Sequence, residues 1–447
     1  MSQTTKRLTG AAAFLLPTLC LMAAGAANAQ DAAAALLGHQ AALELDSAGA
    51  SWLGTSTALV LLMTLPGLAL FYGGMVRKKN VIATITQSVG VFAVVSLVWF
   101  IAGYSLAFGK NESAGLQPFI GSLDMLFLNG VSLKTANALL PGIPEFLFIS
   151  FQMTFAIITP ALITGAFAER FKYSALLLFT ALWSLLVYAP ICHWVWGGGF
   201  LGSAGVLDFA GGAVVHVNSG VAGLVCAIFL GRRKGYGTEV ITAHNPVLTM
   251  IGASLLLVGW IGFNAGSAGA ANDLMGVALL NTILAAAAAA LTWKVVEYIE
   301  KKKVSLIGML SGVVAGLVAI TPAAGFVDPK GAVIIGLIAG PACYASSVWI
   351  KKLLRYDDSL DAFGIHGAGG LIGALLTGVF ATTAINSLSE GANVGAQALG
   401  LLWTIVYSAV GTLIILFICK FTTGLRVSEA EEAAGLDTSL HGEALEH

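Results

Sequence analysis

The chain has 447 residues, of which 57% are hydrophobic and only 10% are charged. Because soluble domains carry about 25% charged residues, this composition excludes an ordinary water-facing surface, and the net charge of −1 excludes a basic nucleic-acid-binding face. No stretch shows the alternating pattern of an outer-membrane barrel, so the sequence predicts an all-α polytopic membrane protein.

The N-terminal segment is predicted to be a cleaved signal peptide, residues 1–29. Lys6 and Arg7 precede an apolar stretch over residues 8–27, and Ala27-Asn28-Ala29 forms a small-x-small cleavage site. An uncleaved first membrane span is the alternative, which the shortness and alanine content of the stretch disfavour. Residues 30–50 would then form an external N-terminal segment.

Eleven apolar segments follow, and each is near the length that a helix needs to cross a hydrocarbon core of about 30 Å. Their predicted bounds are 51–76, 81–108, 145–168, 173–196, 213–231, 246–267, 274–298, 304–322, 331–350, 363–384 and 396–421. They predict a membrane domain over residues 51–422 and a cytoplasmic C-terminal tail over residues 423–447.

Basic residues predict the orientation of these segments. Beyond the signal peptide, 17 of the 20 Lys and Arg residues follow odd-numbered segments, while Lys110, Lys134 and Lys330 lie on the other side. The positive-inside rule therefore predicts a mature N-terminus outside the cell and a C-terminus in the cytoplasm.

Three sequence patterns recur in the same order and indicate an internal repeat. They are Phe71-x2-Gly74-x5-Asn80 with Phe263-x2-Gly266-x5-Asn272, Ile158-Thr159-Pro160-Ala161 with Ile320-Thr321-Pro322-Ala323, and His216-x3-Gly220-x2-Gly223 with His366-x3-Gly370-x2-Gly373. Each pair joins segment n to segment n+5, so the two copies, over about 51–231 and 246–384, have opposite orientations. An inverted repeat of five plus five helices with one extra helix is typical of transport proteins.

Two histidines within apolar segments are predicted to face each other. Asp208 and Asp358 lie eight residues before His216 and His366, so each histidine lies about 12 Å into the membrane if its helix begins at the aspartate. The two helices enter from opposite sides, which brings both rings toward the middle. Two separate core histidines are the alternative, but intramembrane ionisable residues usually line a pathway. With no third or fourth ligand visible, a metal site is not predicted.

Aromatic side chains are predicted to gather at the outer ends of three segments. Phe151 and Phe155 share a helix face, as do Phe263 and Ser267, and Trp196 ends the fourth segment. An interfacial aromatic belt is the alternative, and it accounts well for Trp196. Because aromatic faces attract a partly dehydrated cation, the pattern favours a cation-binding mouth.

Asp208 has two predicted roles that the sequence does not separate. A carboxylate just before a helix caps its free N–H groups, a role also predicted for Asp358 and Asp361. Asp208 also lies in an outer loop beside the aromatic mouth, where it could bind a cation directly.

The chain resembles the bacterial ammonium transporters of the Amt/Mep/Rh superfamily over essentially residues 51–447. The resemblance rests on the segments HWVWGGG, DFAGGAVVHVNSGVAGLV, GWIGFNAGSAG, ITPAAGFV and DDSLDAFGIHGAGGLIGALLTG. It implies an eleven-helix homotrimer in the bacterial inner membrane, with one pore per subunit, that conducts ammonium or ammonia for nitrogen uptake. It implies neither an enzyme nor a cofactor.

The resemblance also implies residue roles and a partner. A PII-type nitrogen regulatory protein would dock on the basic inner loops and the tail. The implied sites are recruitment of ammonium by Trp196, Phe151 and Ser267 with Asp208, a phenyl gate of Phe155 and Phe263, and a pore lined by His216 and His366.

Three other classes are weighed against this interpretation. An Amt-like ammonium sensor would bind ammonium with little flux, although a tail of about 25 residues leaves no room for an added signalling module. A sodium-coupled amino-acid transporter would expose a half-helix N-terminus to a carboxylate, whereas this mouth is aromatic. An intramembrane enzyme would need a nucleophile beside its base, and neither histidine has one.

Overall fold

The computed structural model describes residues 45–445, and within them the protein is helical, with three isolated β-bridges and no strand. The predicted signal peptide lies outside the described residues. The apolar helices in chain order are α1 (Ser47–Met75), α2 (Lys78–Phe108), α3 (Glu145–Phe167), α4 (Tyr173–Ser203), α5 (Gly212–Leu230), α6 (Pro246–Ala265), α7 (Asp273–Lys301), α8 (Leu306–Ile320), α9 (Pro329–Leu354), α10 (Phe363–Phe380) and α11 (Val394–Thr422).

Ten of these helices are long and apolar enough to cross a membrane, and α8, with 15 residues, is shorter. Each coincides with a predicted segment, and the differences lie at the ends. Several helices start earlier than hydropathy predicts because a polar residue caps them. The side chains of Asp46, Asn272, Asp328 and Asn393 accept hydrogen bonds from the first turns of α1, α7, α9 and α11.

Helices α5 and α10 cross at the centre of the molecule, where glycines permit close approach. A Cβ atom on Gly220 of α5 would collide with the backbone of Gly367 in α10. Around this crossing, α1 packs on α6, α7 packs on α8 and α9, and α11 lies across α4, α5 and α10. Small residues at such crossings let helix backbones meet in lipid, and here they bring the two histidine-bearing turns together.

A buried ion-pair network joins the loops at the basic end of the molecule. Glu169 pairs with Arg77 at 2.7 Å and with Arg233 at 3.3 Å. Asp357 pairs with the same Arg233 at 2.9 Å and with Arg170 at 3.8 Å. Burial alone would raise the pKa of Glu169 and of Asp357, but the arginines outweigh it and hold both pKa values below their ordinary range.

The C-terminal tail packs on the same end. It contains the short helix α12 (Glu429–Ala434), and the backbone N–H of Val427 donates to the carbonyl oxygen of Arg170 at 3.2 Å. Beyond α12, the Leu436 N–H donates to the side chain of Asn80 at 2.9 Å, and Asp437 accepts from the Ala83 N–H at 2.8 Å. The tail is thus folded onto the rest of the molecule as far as His441, whose ring contacts that of Tyr173.

Candidate functional site: an aromatic mouth above a histidine-lined cavity

Seven of the apolar helices within residues 45–445 contain a π-helical turn, and four of these turns line one cavity. The four turns are Met63–Leu68 in α1, Gly212–Val217 in α5, Ile261–Ala265 in α6 and Phe363–Gly367 in α10. Such turns are rare and frequently occur at functional sites, because the extra residue re-aims neighbouring side chains. All four turns contribute side chains to one enclosed cavity.

The cavity is small and almost entirely apolar. Its volume of about 10 Å³ accommodates roughly one water-sized molecule. It is lined by Met63, Leu68, Phe71, Ile158, Leu162, Val215, His216, Leu256, Trp260, Phe263, Val314 and His366. Within this lining, only the imidazoles and the indole carry side-chain hydrogen-bonding nitrogen.

The two predicted pore histidines meet in this cavity. The Nδ1 atoms of His216 and His366 are 3.3 Å apart, and the rings are stacked with centroids separated by 5.3 Å. A hydrogen bond between the nitrogens requires that one donate and the other accept. The Nε2 atom of His216 is buried and lacks a hydrogen-bond partner among the described residues, so it has hydrogen-bonding capacity to offer.

The two predicted gate residues stack on each other, and one of them, Phe263, lines the cavity. The rings of Phe155 and Phe263 stack with centroids 4.3 Å apart, and both side chains are buried. Phe263 also lies 5.9 Å from the ring of His216. The stacked phenyl pair therefore separates the histidines from the aromatic mouth.

Three predicted mouth residues lie on the far side of the phenyl pair. Phe151 and Trp196 contact Phe155 edge-on, with centroids 5.0 and 5.9 Å away. Trp196 and Ser267 are partly exposed, and the Ser267 hydroxyl donates to the carbonyl oxygen of Phe263 at 2.8 Å. The structure thus places Phe151 and Trp196 against the phenyl pair and anchors Ser267 to the backbone of Phe263.

Asp208 holds both the start of α5 and the tryptophan of the mouth. Its carboxylate oxygens accept hydrogen bonds from four successive backbone N–H groups at 2.5–3.0 Å, and its carbonyl oxygen accepts from Trp196 Nε1 at 2.8 Å. Burial raises the pKa of this carboxyl, and the four N–H donors partly offset that effect. The capping prediction is confirmed. A direct contact with a cation stays a prediction.

Asp358 caps its helix as predicted, but Asp361 does not. Asp358 accepts from the backbone N–H groups of Ala362 and Phe363 at 3.0 and 2.8 Å. The cap predicted for Asp361 is wrong, because its carboxylate pairs with the ammonium of Lys351 instead. Asp358 already satisfies the free N–H groups of α10, which leaves Asp361 available for that ion pair.

Sequence reasoning missed Trp260, which stacks on His216 with centroids 5.3 Å apart. Its Nε1 donates to the Thr321 hydroxyl at 2.9 Å, so its ring is held against the imidazole. The internal repeat contained a signal for this residue, because it pairs Phe71 with Phe263. Trp260 stands three residues before Phe263, and Leu68 stands three residues before Phe71. All four of these residues line the cavity.

His193 is a packed polar residue, as the absence of a repeat counterpart indicates. Its ring nitrogens lie 2.9 Å from the carbonyl oxygen of Ala107 and 2.6 Å from that of Gln117. It therefore ties the end of α2 and the loop after it to α4, three residues before Trp196.

The chain is similar to known ammonium transporters over its whole membrane domain. A model described as the Ammonium Transporter Family matches residues 51–445. The chain is 48% identical over 406 residues to the ammonium transporter of Aquifex aeolicus, covering 90% of this chain and 93% of that one. It is also 48% identical over 392 residues to the ammonium transporter of Bacillus subtilis, covering 86% and 95%.

Solved structures show the same likeness. Mep2 of Saccharomyces cerevisiae matches with a TM-score of 0.79 and 37% identity, covering 86% of this chain and 88% of that one. A chain described as "Sensor Amt Protein" matches with a TM-score of 0.80 and 32% identity, covering 88% and 98%. The curated relatives are named as transporters rather than enzymes.

Proposed function

The chain belongs to the ammonium transporter family, and on that premise we propose that it recruits ammonium at the aromatic mouth, takes a proton from it and conducts ammonia past the histidine pair. The observation that carries this proposal is the small apolar cavity containing His216 and His366 beneath the stacked rings of Phe155 and Phe263.

The proposed selectivity follows from the absence of charge in that cavity. Potassium and ammonium have the same charge, so a charged filter would separate them poorly. A cation moved to the centre of a bilayer costs several kcal/mol or more, whereas neutral ammonia pays little Coulombic cost. Ammonium can release a proton and potassium cannot, so an apolar cavity admits the nitrogen of one and rejects the other.

Recruitment at the mouth uses aromatic faces and one hydroxyl. Trp196 and Phe151 offer π-faces to the cation, and the Ser267 hydroxyl oxygen can accept a hydrogen bond from it. Asp208 serves this site by fixing the Trp196 indole, because each of its carboxylate oxygens already accepts two backbone N–H groups.

The fate of the released proton gives the proposal two versions. In the first, the coupled imidazoles of His216 and His366 relay it, so transport carries current. In the second, the proton returns to the water at the mouth, and the imidazoles only guide ammonia by hydrogen bonds in an otherwise dry cavity.

Currents in proteoliposomes decide between these versions. In the relay version, an ammonium pulse evokes a current in wild type that His216→Ala and His366→Ala abolish. Absence of current in wild type, or unchanged currents in both variants, would overturn the relay but not the ammonia pore. The control is His193→Ala, whose ring lies outside the cavity. Absence of both current and ammonia flux in wild type would overturn transport itself.

An ammonium sensor with little flux is the second candidate, favoured by the similarity to the chain described as "Sensor Amt Protein". A sensor would saturate with ammonium at the mouth while flux stayed near that of empty liposomes. The same proteoliposomes therefore discriminate between the two candidates.

We also propose that eleven helices cross the inner membrane as two inverted five-helix repeats plus α11, with the C-terminus in the cytoplasm. Two observations support this: the four π-helical turns that line the cavity fall in the repeat-paired helices α1 and α6 and α5 and α10, and most basic residues follow odd-numbered helices. Three such chains would form a homotrimer, and a PII-type protein would dock on the basic loops and the tail.

A further inference from the structure

An open groove lies at the basic end of the molecule, between the ends of α5 and α9. Its volume is about 630 Å³, far larger than the cavity between the histidines. Leu224 and Ile228 of α5 form one wall, and Ile350 and Leu354 of α9 form the other. The groove is thus separate from the conduction site.

The walls of this groove carry exposed apolar side chains near the ends of α5 and α9. Ile228 is 62% exposed, Leu354 65% and Ile350 43%. Leu224 stands six residues before the end of α5 at Leu230, which places it about 9 Å inside the helix end. Leu224 is half-buried, so the apolar wall runs from the exposed side chains at the helix ends to Leu224 and suits contact with an acyl chain.

The rim of the groove carries two arginines whose guanidinium groups have no acidic partner. Arg232 and Arg355 both line the groove, and both are exposed. The Nε of Arg232 donates to the carbonyl oxygen of Arg355 at 2.9 Å, which holds the two residues side by side. Within residues 45–445, no carboxylate lies within 4.0 Å of either guanidinium.

The neighbouring carboxylate does not neutralise this rim. Asp357 also lines the groove, but both of its oxygens are taken by Arg233, at 2.9 Å each. Within the described residues, the rim therefore presents the two positive charges of Arg232 and Arg355, without acidic partners, next to the apolar walls of the groove.

We propose that this groove binds an anionic phospholipid of the inner leaflet, with its phosphate between Arg232 and Arg355 and an acyl chain along Leu224, Ile228 and Leu354. Guanidinium groups match phosphate oxygens in bidentate hydrogen bonds, and basic pockets between transmembrane helices on the cytoplasmic side suit anionic headgroups. The basic rim and the apolar walls belong to the same groove. One ligand that carries both a phosphate and an acyl chain would therefore contact both.

Native mass spectrometry of the full-length protein in mild detergent tests the headgroup contact. The probes are phosphatidylglycerol and phosphatidylcholine with identical acyl chains. We expect the tightest-binding site to prefer phosphatidylglycerol, and the double variant Arg232→Gln, Arg355→Gln to bind it about tenfold more weakly, since each basic residue near the surface contributes appreciably. The control variant Lys302→Gln, Lys303→Gln removes two exposed charges at the end of α7 and should bind as wild type does. Equal affinity for both lipids, or unchanged binding by the double variant, would overturn the proposal.

A second variant tests the acyl contact while keeping both arginines. Leu224→Trp partly fills the groove and should also weaken phosphatidylglycerol binding. Because this variant changes no charge, its effect cannot come from a loss of charge that disturbs folding. In vesicles, a fluorophore on Leu354→Cys should be quenched by phosphatidylglycerol with brominated acyl chains. No quenching would overturn the proposal, because it would mean that another protein surface covers the groove.

Discussion

At the scale of single residues, each aromatic ring of the mouth has its own partner. Trp196 is held by the Asp208 carbonyl oxygen and lies edge-on to Phe155, while Phe155 stacks on Phe263. A cation at the mouth would therefore meet an indole that is fixed before binding, which reduces the entropy lost on recruitment.

We expect Trp196→Leu to weaken ammonium recruitment, because it removes the cation–π face. The loss should be about 1 kcal/mol, a roughly fivefold rise in the half-saturating ammonium concentration. Flux in proteoliposomes over a range of ammonium concentrations measures it. Trp403→Leu is the matched control, since Trp403 is 46% exposed on α11. Identical saturation curves for wild type and Trp196→Leu would show that the indole does not bind the cation.

At the scale of helices, the start of α5 depends on one buried carboxylate. Gly211 has a φ of +114°, a conformation that favours glycine, and the next turn is the π-helical one that carries His216. The four N–H groups exposed by this bend all donate to Asp208. The position of the histidine in the cavity thus depends on an aspartate eight residues earlier.

We expect Asp208→Ala to lower the free energy of unfolding by about 2 kcal/mol or more, because it leaves buried N–H groups without acceptors. Asp208→Asn keeps one acceptor oxygen and should fall between Ala and wild type. Thermal unfolding in detergent measures both. Asp328→Ala provides the comparison, since Asp328 caps α9 through a single bond to Gly331 and should cost less. Equal losses for the two alanine variants would contradict the special role of Asp208.

The sequence predicted much of this site because its signals are local. Phe151 and Phe155 are four residues apart on one helix, and the two histidines repeat with their glycines and aspartates. The π-helical turns were not predictable from hydropathy, because an apolar segment has the same composition whether its turns are regular or widened. Trp260 was missed because its contact with His216 depends on how α5 and α6 pack.

At the scale of the whole molecule, one ion-pair network joins parts that are far apart in sequence. Glu169 follows α3, Arg77 follows α1 and Arg233 follows α5, while Asp357 precedes α10. The tail joins this assembly through the carbonyl oxygen of Arg170 and through Arg426, whose guanidinium donates to the carbonyl oxygens of Leu230 and Arg232 at 2.9 and 2.8 Å. Sequence placed these basic residues on one side but could not show which carboxylates pair with them, since pairing depends on the folded loops.

We expect Glu169→Gln to destabilise the protein at pH 7 by about 3 kcal/mol, because it removes the acidic partner of Arg77 and leaves Arg233 and Arg170 to share the single carboxylate of Asp357. The pKa of Glu169 is lower in the folded protein than its ordinary value of 4.5. Its stabilising effect is therefore complete above pH 4.5 and is lost as the pH falls through the folded-state pKa. Melting temperatures of wild type and variant should differ at pH 7 and converge below pH 4.5. A difference that is constant with pH would contradict this role.

The volume of the cavity beneath the stacked phenyl rings, about 10 Å³, affects whether water and protons can leak across the membrane. A chamber that holds a single small molecule cannot contain a continuous file of water, and so it offers no hydrogen-bonded wire along which hydronium could hop. In the version in which the imidazoles only guide ammonia, a membrane crowded with this protein would therefore keep its osmotic balance and its proton-motive force while no substrate is present.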